Sequence, residues 1–301
     1  MRVYFTCLLL LCCRLVMGQS LAELERQLDS LLRKQEKSEV VVGLGYGNNP
    51  AYGNKTPNYE QPILLKAFIS PSLSWYHKSG FYGGISGYYL FNADSNPWFE
   101  YDLTAGYDYT KNKNILTGIS YTRYFFADST DVPGTPIKNE LFAYFYYRKW
   151  WLQPGVSLDY GWGKELWRGK LREQTIQGRD FNLIAAVRHP FIFYGVVNHH
   201  DAVLLTPSAG LTMGTANYFS QLKSFQYIMR SPKLKREHHM GEGMGFTDHT
   251  NFEPRALDFT FNLSYLIGKF TASPSFTVFK PFTGPDLHVM SYFTARVGYG
   301  F

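Results

Sequence analysis

Cysteine is almost absent from this chain of 301 residues: Cys7, Cys12 and Cys13 are all there are, and all lie near the start. Met1 and Arg2 open with positive charge, Val3 to Cys13 form an apolar core of about eleven residues, and Val16 and Gly18 are small. That pattern predicts an export signal over residues 1–18, cleaved before Gln19. Cys12 and Cys13 follow Leu11 and Cys12, so neither has the small preceding residue that lipid attachment requires. With the signal removed, disulfides, thiolate ligands and a cysteine nucleophile are excluded from the mature chain. Long apolar runs are missing too. The signal core is too short to span a bilayer as a helix, and nothing later approaches the ~20 apolar residues of a spanning helix.

Metal and nucleic-acid chemistry also lack their usual marks, so no cofactor is expected. His199, His200 and Asp201 sit at a predicted turn, and His238, His239, Asp248 and His249 in a long loop. Adjacent histidines do not have the i, i+4 spacing that sets two imidazoles on one helix face, so both groups read as solvated loop residues. The formal net charge of +6 suits contact with anionic lipid heads, but no nucleic-acid motif accompanies it.

Aromatic residues, by contrast, make up 18% of the chain: 24 Phe, 23 Tyr and 6 Trp. They fall into alternating segments. From Leu287 the odd positions run Leu287, Val289, Ser291, Phe293, Ala295, Val297, Tyr299 and Phe301, against His288, Met290, Tyr292, Thr294, Arg296, Gly298 and Gly300. One face is mostly apolar, the other mostly polar or small. This long C-terminal strand, ending on Phe301, resembles the assembly signal of outer-membrane β-barrels, with Phe293, Tyr299 and Phe301 carrying it. The mean hydropathy of −0.23 is compatible with a membrane location, because only alternate strand residues of a spanning barrel meet lipid. A large soluble β-sandwich is the competing reading of the same alternation.

Period two continues upstream. Residues 99–109, 203–213 and 257–265 alternate most cleanly, and less regular stretches run at 38–47, 62–76, 81–91, 115–126, 140–148, 151–162, 181–194 and 270–281. With 287–301 these make twelve strands, each near or above the ~9–11 residues that a tilted spanning strand needs. The predicted connections alternate in length. Those at 77–80, 111–114, 149–150, 196–200 and 267–269 are short, whereas those at 48–61, 127–139, 163–180 and 215–256 are long, with shorter ones at 92–97 and 282–286. Spanning barrels place short turns in the periplasm and long loops outside, which puts both chain ends of the predicted 37–301 barrel in the periplasm. Prolines recur in similar settings, at Pro71, Pro154, Pro207 and Pro274. Proline lacks a ladder donor, so each is expected at a bulge or rim.

Residues 19–36 differ in kind. Leu21, Leu24, Leu28, Leu31 and Leu32 share one helical stripe, with charged residues around the rest. The expectation is an amphipathic helix of about 27 Å, at 1.5 Å per residue. It could dock beneath the barrel, pair with another copy, bind a periplasmic partner or plug the lumen; its leucine stripe favours a periplasmic position.

Alternation assigns Glu39, Lys66, Glu100, Asp102, Asp108, Arg148, Asp159, Arg188, Asp258 and Arg296 to the interior as pore-lining candidates, with Tyr76, Tyr82, Tyr88, Tyr144, Tyr146 and Tyr292 beside them. Both charge signs are present. One reading is a salt-bridge network in a closed lumen, since buried charge is costly unless paired or wet; the other is a polar constriction that sorts small solutes. His77 and Ser79 in HKSG superficially resemble the HxSNG pattern of outer-membrane phospholipases. The Asn-Gly that should follow is missing, and the turn lies at the periplasmic end, so no catalytic residue is assigned. Lys223, Arg230, Lys233, Lys235 and Arg236 make the longest loop basic and could face lipopolysaccharide phosphates.

PSLSWYHKSGFYGGISGYYLF, YDLTAGYDYT and SYTRYFF within residues 62–126, together with the terminal SYFTARVGYGF, resemble outer-membrane barrel proteins common in Bacteroidetes. The resemblance implies insertion by the barrel-assembly machinery and supplies no catalytic residues. The combined expectation is an all-β, antiparallel, up-and-down barrel with a short N-terminal helix, serving as a passive channel for small polar solutes. The alternative is a closed structural or interaction barrel presenting its loops and helix.

Overall fold

The computed structural model describes residues 38–48, 50–52, 63–65, 67–93, 96–109, 111–112, 114–127, 137–168, 173–199, 201–215, 252–282 and 288–301. The expected signal over 1–18, the helix over 19–36, Lys66, and the basic and histidine residues of the longest loop lie outside them. Fifteen strands are present among the described residues: β1 (Glu39–Gly47), β2 (Pro50–Tyr52), β3 (Ile63–Leu65), β4 (Phe68–Tyr76), β5 (Phe81–Leu90), β6 (Trp98–Tyr109), β7 (Ile115–Phe126), β8 (Asn139–Tyr147), β9 (Gln153–Arg168), β10 (Glu173–Arg188), β11 (Phe191–Tyr194), β12 (Asp201–Gly214), β13 (Glu253–Ile267), β14 (Phe270–Pro281) and β15 (Met290–Gly300).

Twelve of them form a closed ring. Each pairs antiparallel with its neighbour in the chain, β10 passes directly to β12, and β1 closes on β15 through Val41↔Gly300 to Gly47↔Thr294. β2 and β3 form a separate ladder, and β11 extends the β10 path alongside β12. Closure leaves no open sheet edge, which is what a β-structure in hydrocarbon requires of its backbone donors and acceptors. Five short connections, after β4, β6, β8, β11 and β13, lie at the end of the barrel that carries both Glu39 and Phe301; at the shortest, Gly268 takes a φ of 59° between Ile267 and Phe270. We refer to this as the turn end and to the opposite one as the loop end.

Two strands, β7 and β14, coincide with the sequence expectation, and most others differ by a few residues. The expected strand over 62–76 divides into β3 and β4, and the one over 181–194 begins earlier, at Glu173, and breaks at His189 and Pro190. Most of the expected 163–180 loop is strand, because β9 and β10 stay paired as far as Glu173↔Arg168. In the sequence of this stretch charged and polar residues fall at both odd and even positions, so it carries no two-residue hydropathy signal.

The prolines lie at interruptions of the ladders. Pairing between β4 and β5 skips from Ile69↔Tyr89 to Ser72↔Ser86 around Pro71, and that between β13 and β14 skips from Asn262↔Ser275 to Tyr265↔Ala272 around Pro274. Pro207 stands opposite the break between β10 and β11. Pro154 lies beyond the last β8–β9 pair, Tyr146↔Gly155. A residue without an N–H is tolerated where no neighbour would accept from it.

Candidate functional site

Burial alternates with the pleat and separates two surfaces. On β9, Val156, Leu158 and Tyr160 are 37%, 42% and 39% exposed, while Ser157 and Asp159 between them are 5% and 0% exposed. Val40, Val42 and Leu44 on β1, Leu103 on β6 and Phe259 and Phe261 on β13 continue the exposed apolar surface around the barrel. In water such a belt would be highly unfavourable, because monomeric soluble proteins rarely expose contiguous apolar patches beyond a few hundred Å². Phe293, Tyr299 and Phe301 face outward within it, and the Tyr299 and Phe301 rings meet edge-on at 5.0 Å.

The inner surface encloses a cavity of about 450 Å³, bordered by strands from around the ring. Asp102, Glu140, Asp258 and Arg296 are its charged lining among the described residues, set among Ser74, Ser86, Thr104, Thr122 and Thr260. Arg296 reaches across to β4, its Nη2 donating to Ser72 Oγ at 2.9 Å. Hydroxyl pairs bridge adjacent strands, Thr104 with Thr122 and Thr260 with Thr277, each at 3.0 Å. This wall offers hydrogen bonds to polar solutes, and its charge is unequal: three carboxylates face one guanidinium.

Acidic side chains gather on one side. Glu100, Asp102, Glu140 and Asp159, from β6, β8 and β9, lie within electrostatic reach of the Tyr124 hydroxyl of β7. All four carboxylates are buried, and Asn182 Nδ2 donates to Asp159 Oδ2 at 3.2 Å. Glu140 is absent from the lumen charges expected from sequence. It stands on the border of its strand, and only its parity with Phe142, Tyr144 and Tyr146 marks it as inward.

Toward the turn end the inner wall carries aromatic rings. Tyr76 and Tyr82 meet with centroids 5.9 Å apart, Tyr144 and Tyr146 at 6.5 Å, and the Arg188 guanidinium lies 4.1 Å from the Tyr146 centroid. Tyr144 Oη donates to Asp108 Oδ1 at 2.7 Å, and Arg188 Nε donates to Gln153 Oε1 at 3.3 Å. Three of these tyrosines face glycine across the ladder: Tyr82↔Gly106, Tyr144↔Gly118 and Tyr146↔Gly155. A Cβ on any of these glycines would collide with the tyrosine opposite. Glycine weakens a strand by itself, and a cross-strand aromatic that covers it compensates.

The other lumen candidates disperse. Glu39 lies at the turn end against Gly300, and Arg148, just past β8, is close enough to Arg188 to repel it. Arg148 N donates to Asn114 O at 2.8 Å. Asp201, expected to be a solvated turn residue, is buried and organises the turn before β12: its carboxylate accepts from the N–H groups of Val196, Val197 and Asn198 at 2.8–2.9 Å and from Tyr265 Oη at 3.0 Å. His77 Nδ1 and Ser79 Oγ do meet, at 2.6 Å, on an exposed turn. The ring's only polar side-chain partner among the described residues is Ser79, so nothing orients it as a general base needs. No group of His, Cys, Asp and Glu among the described residues has the geometry of a metal site.

No family model matches the chain, and no curated protein matches it. Solved structures do. NanC porin is 11% identical over 87% of this chain and 98% of its own, with a TM-score of 0.42. KdgM porin is 10% identical over 87% and 99%, at 0.42. The COG4313 outer membrane channel from Pseudomonas putida F1 is 10% identical over 88% and 96%, at 0.49. At such identities and scores the likeness carries no function across to this chain; the closed twelve-stranded barrel rests on its own strand pairing.

Proposed function

We propose that this protein is an integral outer-membrane barrel and a passive channel for small polar solutes, with its turn end and both termini in the periplasm. The observation that carries the channel reading is the polar cavity inside a closed wall whose outer face is apolar. Hydroxyl and carboxyl groups on the inner wall suit a water-filled lumen, where polar groups stay solvated. The aromatic rings at the turn end then act as the size-limiting element, and the carboxylate wall as the element that discriminates charge.

The outward Phe293, Tyr299 and Phe301 support recognition by the barrel-assembly machinery, and the long connections at the loop end support an orientation toward the cell exterior. The exposed His77–Ser79 turn favours no hydrolytic activity. A periplasmic partner for residues 19–36 stays with this proposal as the reason for an amphipathic segment ahead of the barrel.

One observation favours the closed alternative: Tyr76, Tyr82, Tyr144 and Tyr146 crowd the turn end of the lumen. Planar-bilayer recording of the purified protein, with and without residues 19–36, decides between them. Stepwise openings in either form are the expected result. Silence from both, in protein shown to be inserted, would leave the closed barrel.

A further inference from the structure

Strand register gathers a second group of charges on the outside of the barrel, at the loop end of β7–β10. Arg123 pairs with Asn139, Asn139 with Trp162, Trp162 with Arg179, and Lys164 with Gln177. These residues line a cleft of about 350 Å³. They share their face with the exposed Tyr121, Leu141, Tyr160 and Phe181, so on β7, β8 and β10 an apolar outward residue gives way to a polar one within one pleat, and on β9 the change comes after Trp162. The cleft therefore borders the belt that faces lipid.

Its floor is fixed. The Asn139 side-chain oxygen accepts from Tyr121 Oη at 2.8 Å and from Arg123 Nη1 at 2.7 Å, and Asn139 Nδ2 donates to Trp162 O at 3.1 Å. Arg123 is thereby held in place, while Lys164 and Arg179 are exposed above it. No carboxylate is among the residues that line the cleft, and no ion pair to Lys164 or Arg179 is present among the described residues. Lys138 is a fourth cationic residue of the lining, and like charges gathered with no carboxylate among the described lining residues repel one another unless an anion joins them. Guanidinium forks match the oxygens of a phosphate, and an ammonium adds a point charge.

We propose that this cleft binds the phosphate of a glycolipid in the leaflet at the loop end, with Arg123, Lys164 and Arg179 on the phosphate and its acyl chains along the apolar belt below. The position selects a lipid over a soluble anion, because headgroup and chains would meet cationic and apolar surfaces in the order in which the wall presents them. This inference rests on the membrane-spanning reading.

The test uses the full barrel, purified in mild detergent and incubated with diphosphoryl lipid A, with the same lipid after dephosphorylation, or with inorganic phosphate, and read by native mass spectrometry. The comparison is with R123A/K164A/R179A and, to spare Arg123 its role in the floor, with K164Q/R179Q. Wild type is expected to retain diphosphoryl lipid A, and both variants to lose it by about tenfold or more. The dephosphorylated lipid should bind both equally. Equal retention of diphosphoryl lipid A by wild type and variants would overturn the site. So would displacement of the lipid by an equal concentration of inorganic phosphate, which would make the cleft a soluble-anion site. Insertion of both proteins into lipid-A-free phosphatidylcholine vesicles is measured separately: failure there removes the membrane reading itself, whereas normal insertion with equal retention removes only the glycolipid site.

Discussion

The ring of Tyr146 fills the space that a side chain on its cross-strand partner Gly155 would need. Tyr82 over Gly106 and Tyr144 over Gly118 repeat the arrangement, so three inward glycines of β6, β7 and β9 make room for the rings at the turn end. Gly155→Ala is expected to push Tyr146 further into the lumen and destabilise the barrel by about 1–3 kcal/mol, the range for overpacking. Adding Tyr146→Ala should relieve that strain. Urea unfolding in lipid measures the stability, and a double substitution no more stable than Gly155→Ala alone would show that the pair does not act as a unit.

Charge selectivity follows from the lining of the cavity. With Asp102, Glu140 and Asp258 facing Arg296, a salt gradient should give a reversal potential on the cation-selective side. Asp102→Asn together with Glu140→Gln should move it toward zero, and Arg296→Ala should move it the other way. A preference for anions in the wild type would contradict the role given to the carboxylate wall.

Asp201 makes a different kind of prediction, because it serves the turn and not the lumen. Asp201→Ala removes the acceptor shared by the Val196, Val197 and Asn198 N–H groups and by the Tyr265 hydroxyl. Proteolysis within residues 195–200 should become faster while single-channel conductance stays as in wild type. Unchanged cleavage would mean that water replaces the carboxylate without loss of turn structure.

The barrel was legible wherever one face of a strand meets lipid and the other does not. β7 and β14 could be bounded from Ile115, Phe126, Phe270 and Pro281 by alternation alone, and the turns follow from what remains. Legibility fails where that contrast ends. Lys164, Glu165, Gln177 and Arg179 lie in a stretch of sequence where polar residues interrupt the alternation, so they read as loop. The lumen was legible only as a set of inward residues: parity says that Asp102 and Asp159 point in, but not that both approach Tyr124, which depends on how the ring closes. The outer cleft was invisible for the same reason, since Arg123, Lys164 and Arg179 meet only through register. Asp201 was misjudged because a carboxylate beside two histidines looks solvated until the three N–H groups that bind it are known.

The two faces of one strand should respond oppositely to the same charge. Leu158→Arg places a guanidinium within the apolar belt and is expected to weaken folding into lipid by about 2–4 kcal/mol. Ser157→Arg, one residue away, points the same group into the lumen, where it should leave membrane insertion intact and lower conductance. Urea titration of the protein in liposomes and bilayer recording give the two readouts. Equal destabilisation by both would mean that the wall does not separate lipid from an aqueous interior.

The most direct measurement is a cysteine scan along β9 in lipid, in protein refolded without residues 1–18 and so without any native cysteine: Val156→Cys, Ser157→Cys, Leu158→Cys, Asp159→Cys and Tyr160→Cys, each carrying a spin label. Labels at 156, 158 and 160 should collide mainly with oxygen dissolved in the bilayer, and those at 157 and 159 mainly with a water-soluble nickel complex. Nickel access at all five positions, or oxygen access without a two-residue period, would contradict a spanning wall with lipid on one side and a polar lumen on the other.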